Sequence, residues 1–191
     1  DVYQRQSLFN ILDPTDVRYE VNVAPSSLID PDYEINQDPS LDILVIQKYP
    51  GSEGTPLMND LKIFRVSEMY LIQAEAAVAA GSLGQAASVI KEIRDARFGT
   101  DTPLPSYGSA ADAYAAILDE RRVELSFEGH RYLDLKRLGT RANQGVTRDA
   151  VDCSINGACS LPADNFRFTM PLPIVEFNGN PGLREQQNPG Y

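Results

Sequence analysis

The sequence contains no tryptophan, one histidine and two cysteines among its 191 residues. Each shortage narrows the chemistry. Without Trp, any aromatic platform for stacking on a sugar ring falls to tyrosine and phenylalanine. With His130 as the sole imidazole, a Ser-His-Asp triad would depend on that residue. A zinc site would need more ligands than one His and two Cys supply. His130 directly follows Gly129, where its charge favours the negative end of the preceding helix, so it reads as structural or surface. Positive charge is also scarce: 17 Lys and Arg stand against 27 Asp and Glu, a net charge of −10. That balance excludes the basic footprint of nucleic-acid binding and adhesion to an anionic leaflet. A neutral partner such as a sugar remains compatible. No apolar run approaches the roughly 18 residues of a membrane span, and no basic-then-apolar signal segment opens the chain. It begins Asp1-Val2-Tyr3 and reads as a fragment or a processed product, with targeting information upstream.

Cys153 and Cys159 bracket a polar, Gly-containing loop. A redox pair usually has two intervening residues at a helix start. The expected reading is a structural disulfide between them closing a short loop, which would suit an exported protein, with free thiols as the alternative.

The chain divides into a loop- and strand-rich lead-in (1–61), a helical core (62–139) and a loop with an extended tail (140–191). In the lead-in, Arg18 to Val23 alternates polar and apolar and predicts a half-buried strand. Ile43-Leu44-Val45-Ile46 predicts a buried strand. Asp30 to Asp38 places oxygen side chains at alternate positions, as a calcium loop does. Ile35 and Leu41 occupy the sixth and twelfth positions, so a solvated turn is expected instead.

The core predicts four helices. The first runs from about Ser67 to Ala80 and stops at Gly81. The second opens on Ser82 and Gln85 as a capping box and ends at Phe98-Gly99. The short connection predicts antiparallel packing, with Ala74 and Ala86 or Ala87 in the contact. A third runs from Ser109 to Gly129, and a short fourth from about Arg131 to Gly139. Tyr70, Tyr114 and Tyr132 fall at core spacing. Residues 140–165 predict a long surface loop. The prolines after Phe166 predict an edge strand or extended packing.

Three ordered segments carry a resemblance. Arg65-Val66-Ser67-Glu68-Met69-Tyr70-Leu71-Ile72-Gln73-Ala74-Glu75-Ala76 leads into a helix pair similar to a tetratricopeptide unit. Glu120 to Gly139 holds Glu-Arg-Arg, Glu-Leu, Phe-Glu-Gly, Arg, Asp-Leu, Arg and Gly in fixed order. Pro173-Ile174-Val175-Glu176-Phe177 runs through Asn180-Pro181 to Asn188-Pro189-Gly190-Tyr191. Together, over about residues 62–191, they resemble the C-terminal half of the SusD/RagB family. The resemblance implies a mainly α fold of tetratricopeptide-like helix pairs with long loops and a few short strands. It implies a glycan-binding protein, not an enzyme, that delivers oligosaccharide to a SusC-like TonB-dependent transporter. The protein would sit on the outer surface of the outer membrane, held by an upstream lipid anchor absent from this chain, as is the family's N-terminal half. No cofactor or resident metal is implied. An alternative is a tetratricopeptide-type protein-interaction scaffold, although one repeat unit makes no concave groove.

Glu120, Glu124 and Glu128 recur at four-residue spacing. Paired carboxylates suit a glycosidase, but Arg121, Arg122 and Arg131 stand close in sequence. With Asp134 and Arg137, the expected role is an ion-pair network clamping the third and fourth helices. Glu124, read as solvent-facing, should tolerate glutamine for under about 1 kcal/mol. Sugar contact is assigned to the loop tyrosines Tyr3, Tyr19, Tyr33, Tyr49 and Tyr107.

Overall fold

The structure, a computed structural model, describes residues 6–36, 38, 40–52, 54–55, 58–60, 62–148, 153 and 158–191; of Gln6 and Glu34 it describes the backbone alone. The fold is mainly α. Its helices are α1 (Gln6–Phe9), α2 (Val17–Asn22), α3 (Tyr33–Asn36), α4 (Val66–Ala79), α5 (Leu83–Phe98), α6 (Ala110–Glu124), α7 (His130–Ala142) and α8 (Ile174–Gly179). Two short strands, β1 (Val146–Thr147) and β2 (Ser160–Leu161), pair antiparallel with Val146 opposite Leu161. No helix among the described residues is long and apolar enough to cross a membrane.

The centre is two helix pairs, α4 on α5 and α6 on α7, with α6 also packed on α4 and α5. Leu71, Ile90, Ile117 and Leu118 are fully buried between them. Ala74, Ala86, Ala87 and Ala113 are buried too, and their small side chains let the backbones approach closely. This is the helix pair expected from the alanine-rich segment. Gly81 makes the turn between α4 and α5 at φ +76°, where a side chain would be strained. There the Ser82 amide donates back to the Ala77 carbonyl at 2.8 Å. That bond closes the C-terminus of α4, while the Ser82 hydroxyl makes no capping bond to α5, so the expected capping box does not form. Ser109 does cap α6, accepting from the Asp112 amide at 3.1 Å.

Several expectations are corrected. Arg18 to Val23 is helical through Asn22, because Asp16 caps α2 by accepting from the Arg18 amide at 2.8 Å. Six residues of alternation are too few to separate strand from helix when a cap favours the latter. Ile43 to Ile46 makes only isolated bridges, Val23 to Ile46 and Leu28 to Ile43, and Ile43, Val45 and Ile46 remain exposed. The Asp30 segment is a turn into α3, with Asp30 accepting from the Asp32 amide at 2.9 Å and from Asn36 Nδ2 at 3.0 Å. The third helix ends at Glu124, five residues early, and a turn carries the chain to α7. Helix α7 passes through Gly139 to Ala142 instead of stopping there. A Cβ on Gly139 would lie 2.6 Å from the Gln144 carbonyl oxygen, so glycine serves close approach, not termination. Phe166–Phe168 is a single 3-10 turn capped by Asn165, followed by extended Thr169.

Cys153 and Cys159 are joined by a disulfide, with Cα atoms 5.1 Å apart. Closing so short a loop stabilises by about 2 kcal/mol through chain entropy. Reduction should therefore lower the melting temperature modestly, and intact-mass spectra should gain the mass of two hydrogens on reduction. An unchanged mass would show the thiols free.

Candidate functional site

Helix α6 points the consecutive charged residues Glu120, Arg121 and Arg122 in different directions, because each residue turns the direction by about 100°. Glu120 and Glu124, one turn apart, face α5 and α2. Glu120 Oε1 accepts from Arg18 Nη1 at 2.7 Å and Oε2 from Arg94 Nε at 2.8 Å. Glu124 is 2% exposed and bound by three guanidiniums. Its Oε1 accepts from Arg65 Nη2 at 2.6 Å and Arg97 Nη2 at 2.7 Å. Its Oε2 accepts from Arg97 Nε at 2.9 Å and Arg18 Nη1 at 3.3 Å. Burial pushes the Glu124 carboxyl up, but hydrogen bonds from Arg97 and Ser67 and the charges of Arg97 and Arg65 outweigh it and hold the group at about 2. Arg18 is raised above its ordinary value: burial lowers it, and Asp16 and Glu120 more than compensate. In the turn after α6, Glu128 pairs with Lys48 at 2.5 Å and Arg65 at 2.6 Å.

Arg121 turns the other way. It is 3% exposed and meets Asp134 of α7 at 2.8 Å, Glu75 of α4 at 3.5 Å and Glu68 at 3.7 Å. Arg137 joins this second cluster through Glu75 and through Asp134 at 2.8 Å. His130 lies 3.7 Å from Glu68.

The assigned network thus splits in two, and the expected pairing is overturned. Arg121, Arg122 and Arg131 do not neutralise Glu120, Glu124 or Glu128. Adjacent residues on a helix diverge, and only those three or four apart share a face. The true partners are Arg18, Lys48, Arg65, Arg94 and Arg97. Arg94 and Arg97 carried a signal, two cations three apart on the helix before α6. Arg18 and Lys48 carried none, since their partners are more than 70 residues away. Nor is Glu124 exposed, so the expectation of a mild glutamine variant is withdrawn.

The five assigned tyrosines are not gathered into one place. Tyr3 lies outside the described residues. Tyr19 packs on Phe9, ring centroids 6.1 Å apart. Tyr33 is half-buried in α3. Tyr107 packs against the helical core with its hydroxyl buried. Tyr49 donates to the Phe127 carbonyl at 3.1 Å.

Phe127, though not Tyr49, lines a cleft of about 730 Å³ between the end of α6, α7, α1 and β1. Phe127 stands at φ +63°, a conformation costly for a bulky residue, and is 45% exposed on the cleft wall. Tyr132, 38% exposed, also lines the cleft, its hydroxyl donating to the Phe168 carbonyl at 2.7 Å and its ring stacked on Phe168. Helical spacing had assigned Tyr132 to the core; the structure sets it at a cleft instead. Two aromatic faces with guanidiniums, amides and a hydroxyl around them can seat a sugar ring.

Comparison with known proteins agrees with this architecture. The SusD family matches residues 48–191. A SusD-like protein of Formosa agariphila is 34% identical over 159 residues, 78% of this chain and 28% of that protein. The starch-binding protein SusD of Bacteroides thetaiotaomicron is 29% identical over 74% of this chain and 23% of its own length. Among solved structures, a SusD superfamily protein from B. thetaiotaomicron superposes with a TM-score of 0.69 at 26% identity, covering 96% of this chain and 39% of that one. Another from Bacteroides vulgatus gives 0.64 at 25% identity, covering 98% of this chain and 39% of that one. The chain spans about a quarter of the length of the curated relatives it matches.

Proposed function

This chain belongs to the SusD family, and from that membership we propose that it is part of a cell-surface glycan-binding protein, not an enzyme. The observation that carries the reading is the cleft: two partly exposed aromatic side chains, Phe127 and Tyr132, line it together with hydrogen-bonding side chains. A curated relative named as starch-binding supports a carbohydrate ligand. Hydrolysis is disfavoured because Glu120, Glu124 and Glu128 are all held by cations. A carboxylate kept anionic by three guanidiniums has no proton to donate to a leaving group and no free lone pair for a ring carbon. We further propose, as an inference from that membership, that the full protein is lipid-anchored on the outer face of an outer membrane and passes oligosaccharide to a SusC-like TonB-dependent transporter.

Calorimetric titration of this chain against a panel of oligosaccharides tests the reading. Sugar hydroxyls must exchange water for equally good partners, and one cleft with two aromatics supplies few of them. Binding is expected at millimolar Kd or weaker, about 4 kcal/mol or less. Phe127→Ala should abolish it, and no reducing sugar should be released. No binding to any oligosaccharide, or release of reducing ends, overturns the reading.

A further inference from the structure

The cleft holds more positive charge than its surroundings neutralise. Elsewhere in this molecule, partly or wholly buried guanidiniums carry carboxylates: Arg18, Arg65, Arg94, Arg97 and Arg121 each have at least one within ion-pair distance. Arg122 and Arg131 line the cleft and break that pattern. Arg122 Nη2 donates to the Ser7 hydroxyl at 2.6 Å, and Arg131 Nη1 to the Leu118 carbonyl at 3.2 Å. Both partners are neutral. Among the described residues, no carboxylate lies within 4.0 Å of either guanidinium.

The other charged groups on the wall do not cancel them. Arg121 and Asp134 belong to the second cluster, where Arg137, Glu75 and Glu68 also pair with them. His130 faces Glu68. Arg148 adds a further cation near β1, and Asp119 is the one remaining anion among the described residues there. Its charge acts favourably on both Arg122 and Arg131 from beyond ion-pair distance, but it is one anion against several cations, and its Oδ1 also accepts from Gln144 Nε2 at 3.1 Å. Burial, and then the like charge of Arg122, push Arg131 down to about 10, and burial lowers Arg122 as well; a guanidinium nonetheless keeps its charge in proteins. Two cations partly withdrawn from water, with no carboxylate in direct contact, are costly unless something anionic completes them.

We propose that this cleft takes the acidic group of an anionic sugar, a carboxylate or a sulfate ester, on Arg122 and Arg131, with the sugar ring against Phe127 and Tyr132. The inference rests on the glycan-binding reading and specifies which glycans. Guanidiniums match the paired oxygens of both acidic groups in geometry and charge. A neutral sugar would leave both cations without an anion in direct contact.

Titration of the 191-residue chain with four probes at low salt tests it: an oligogalacturonate, a sulfated galactan oligosaccharide, a neutral malto-oligosaccharide and sodium sulfate. At least one acidic oligosaccharide should bind roughly tenfold or more tightly than the neutral one, and which of the two it is separates carboxylate from sulfate. Arg122→Gln and Arg131→Gln should each weaken that binding roughly tenfold to a hundredfold, the range of hydrogen bonds to charged groups. Thermal melts check that the variants fold. If they do not, Arg148→Gln and the salt dependence of the wild-type chain carry the test, since screening should weaken acidic but not neutral binding. Equal binding of neutral and acidic oligosaccharides, insensitive to salt and to these substitutions, overturns the inference and leaves the glycan reading standing. Sulfate bound as tightly as either oligosaccharide overturns the sugar part of it. No probe bound at all overturns both.

Discussion

Replacing Glu124 by alanine should destabilise the protein by about 3–5 kcal/mol, the cost of leaving buried partner charges uncompensated. For a domain of this size that corresponds to a melting temperature lower by about 10 °C. Arg18, Arg65 and Arg97 would all lose an acceptor at once. The effect has a pH signature. The carboxyl is depressed from an ordinary 4.5 to about 2 in the folded state. A depressed carboxylate contributes stability that is fully present above about 4.5 and is lost as pH falls towards about 2. The difference is worth about 3 kcal/mol. Denaturant titrations should therefore show wild-type stability falling across that window. Glu124→Gln, which cannot titrate, should show a shallower fall and a lower plateau at neutral pH. Indistinguishable slopes for the two proteins would remove Glu124 from the account.

Arg121→Met should cost a similar about 3–5 kcal/mol. The guanidinium reaches three carboxylates on two other helices, Asp134, Glu75 and Glu68. Methionine keeps much of the volume and removes the charge, so the loss is electrostatic and not a cavity. Lysine should rescue poorly, because a single ammonium cannot point along three directions as a planar fork does. Adding Asp134→Leu to Arg121→Met should recover part of the loss, since removing both partners leaves less unpaired charge than removing one. Full additivity in chemical denaturation would show that the two do not interact.

The helices were readable where a residue's fate depends on its near neighbours. Leu71, Ala74, Ala77 and Val78, or Ile117 and Leu118, announce a buried face by spacing, and all are buried. The lead-in was not readable, because α2 depends on a cap at Asp16 and on Arg18, whose carboxylate partners Glu120 and Glu124 lie 102 and 106 residues on. The charge block shows a finer limit. Its residues were rightly singled out as ionic, but which cation meets which anion follows from helical direction and not from proximity in sequence. Tyr132 failed for a related reason: its spacing fits the core, yet the turn at Phe127 and the close approach at Gly139 set α7 so that its ring borders open space.

The lead-in also differs from the helices in what holds it. Ile11, Val17, Val21, Leu28, Leu41 and Ile43 all stay substantially in water, while Asp16, Arg18 and Asn22 are buried. It is fastened by polar contacts: Arg18 to Glu120 and Glu124, Lys48 to Glu128, and the Ser126 hydroxyl donating to Asn22 Oδ1 at 3.1 Å. A segment with so little apolar burial opens at lower free energy than the core it covers. Lifting it does not unmake the helix pairs, because Arg65, Arg94 and Arg97 remain on Glu124 and Glu120. The lead-in therefore acts on the four-helix centre chiefly as a bound counter-ion: without it, Glu120 and Glu124 would each keep fewer cationic partners.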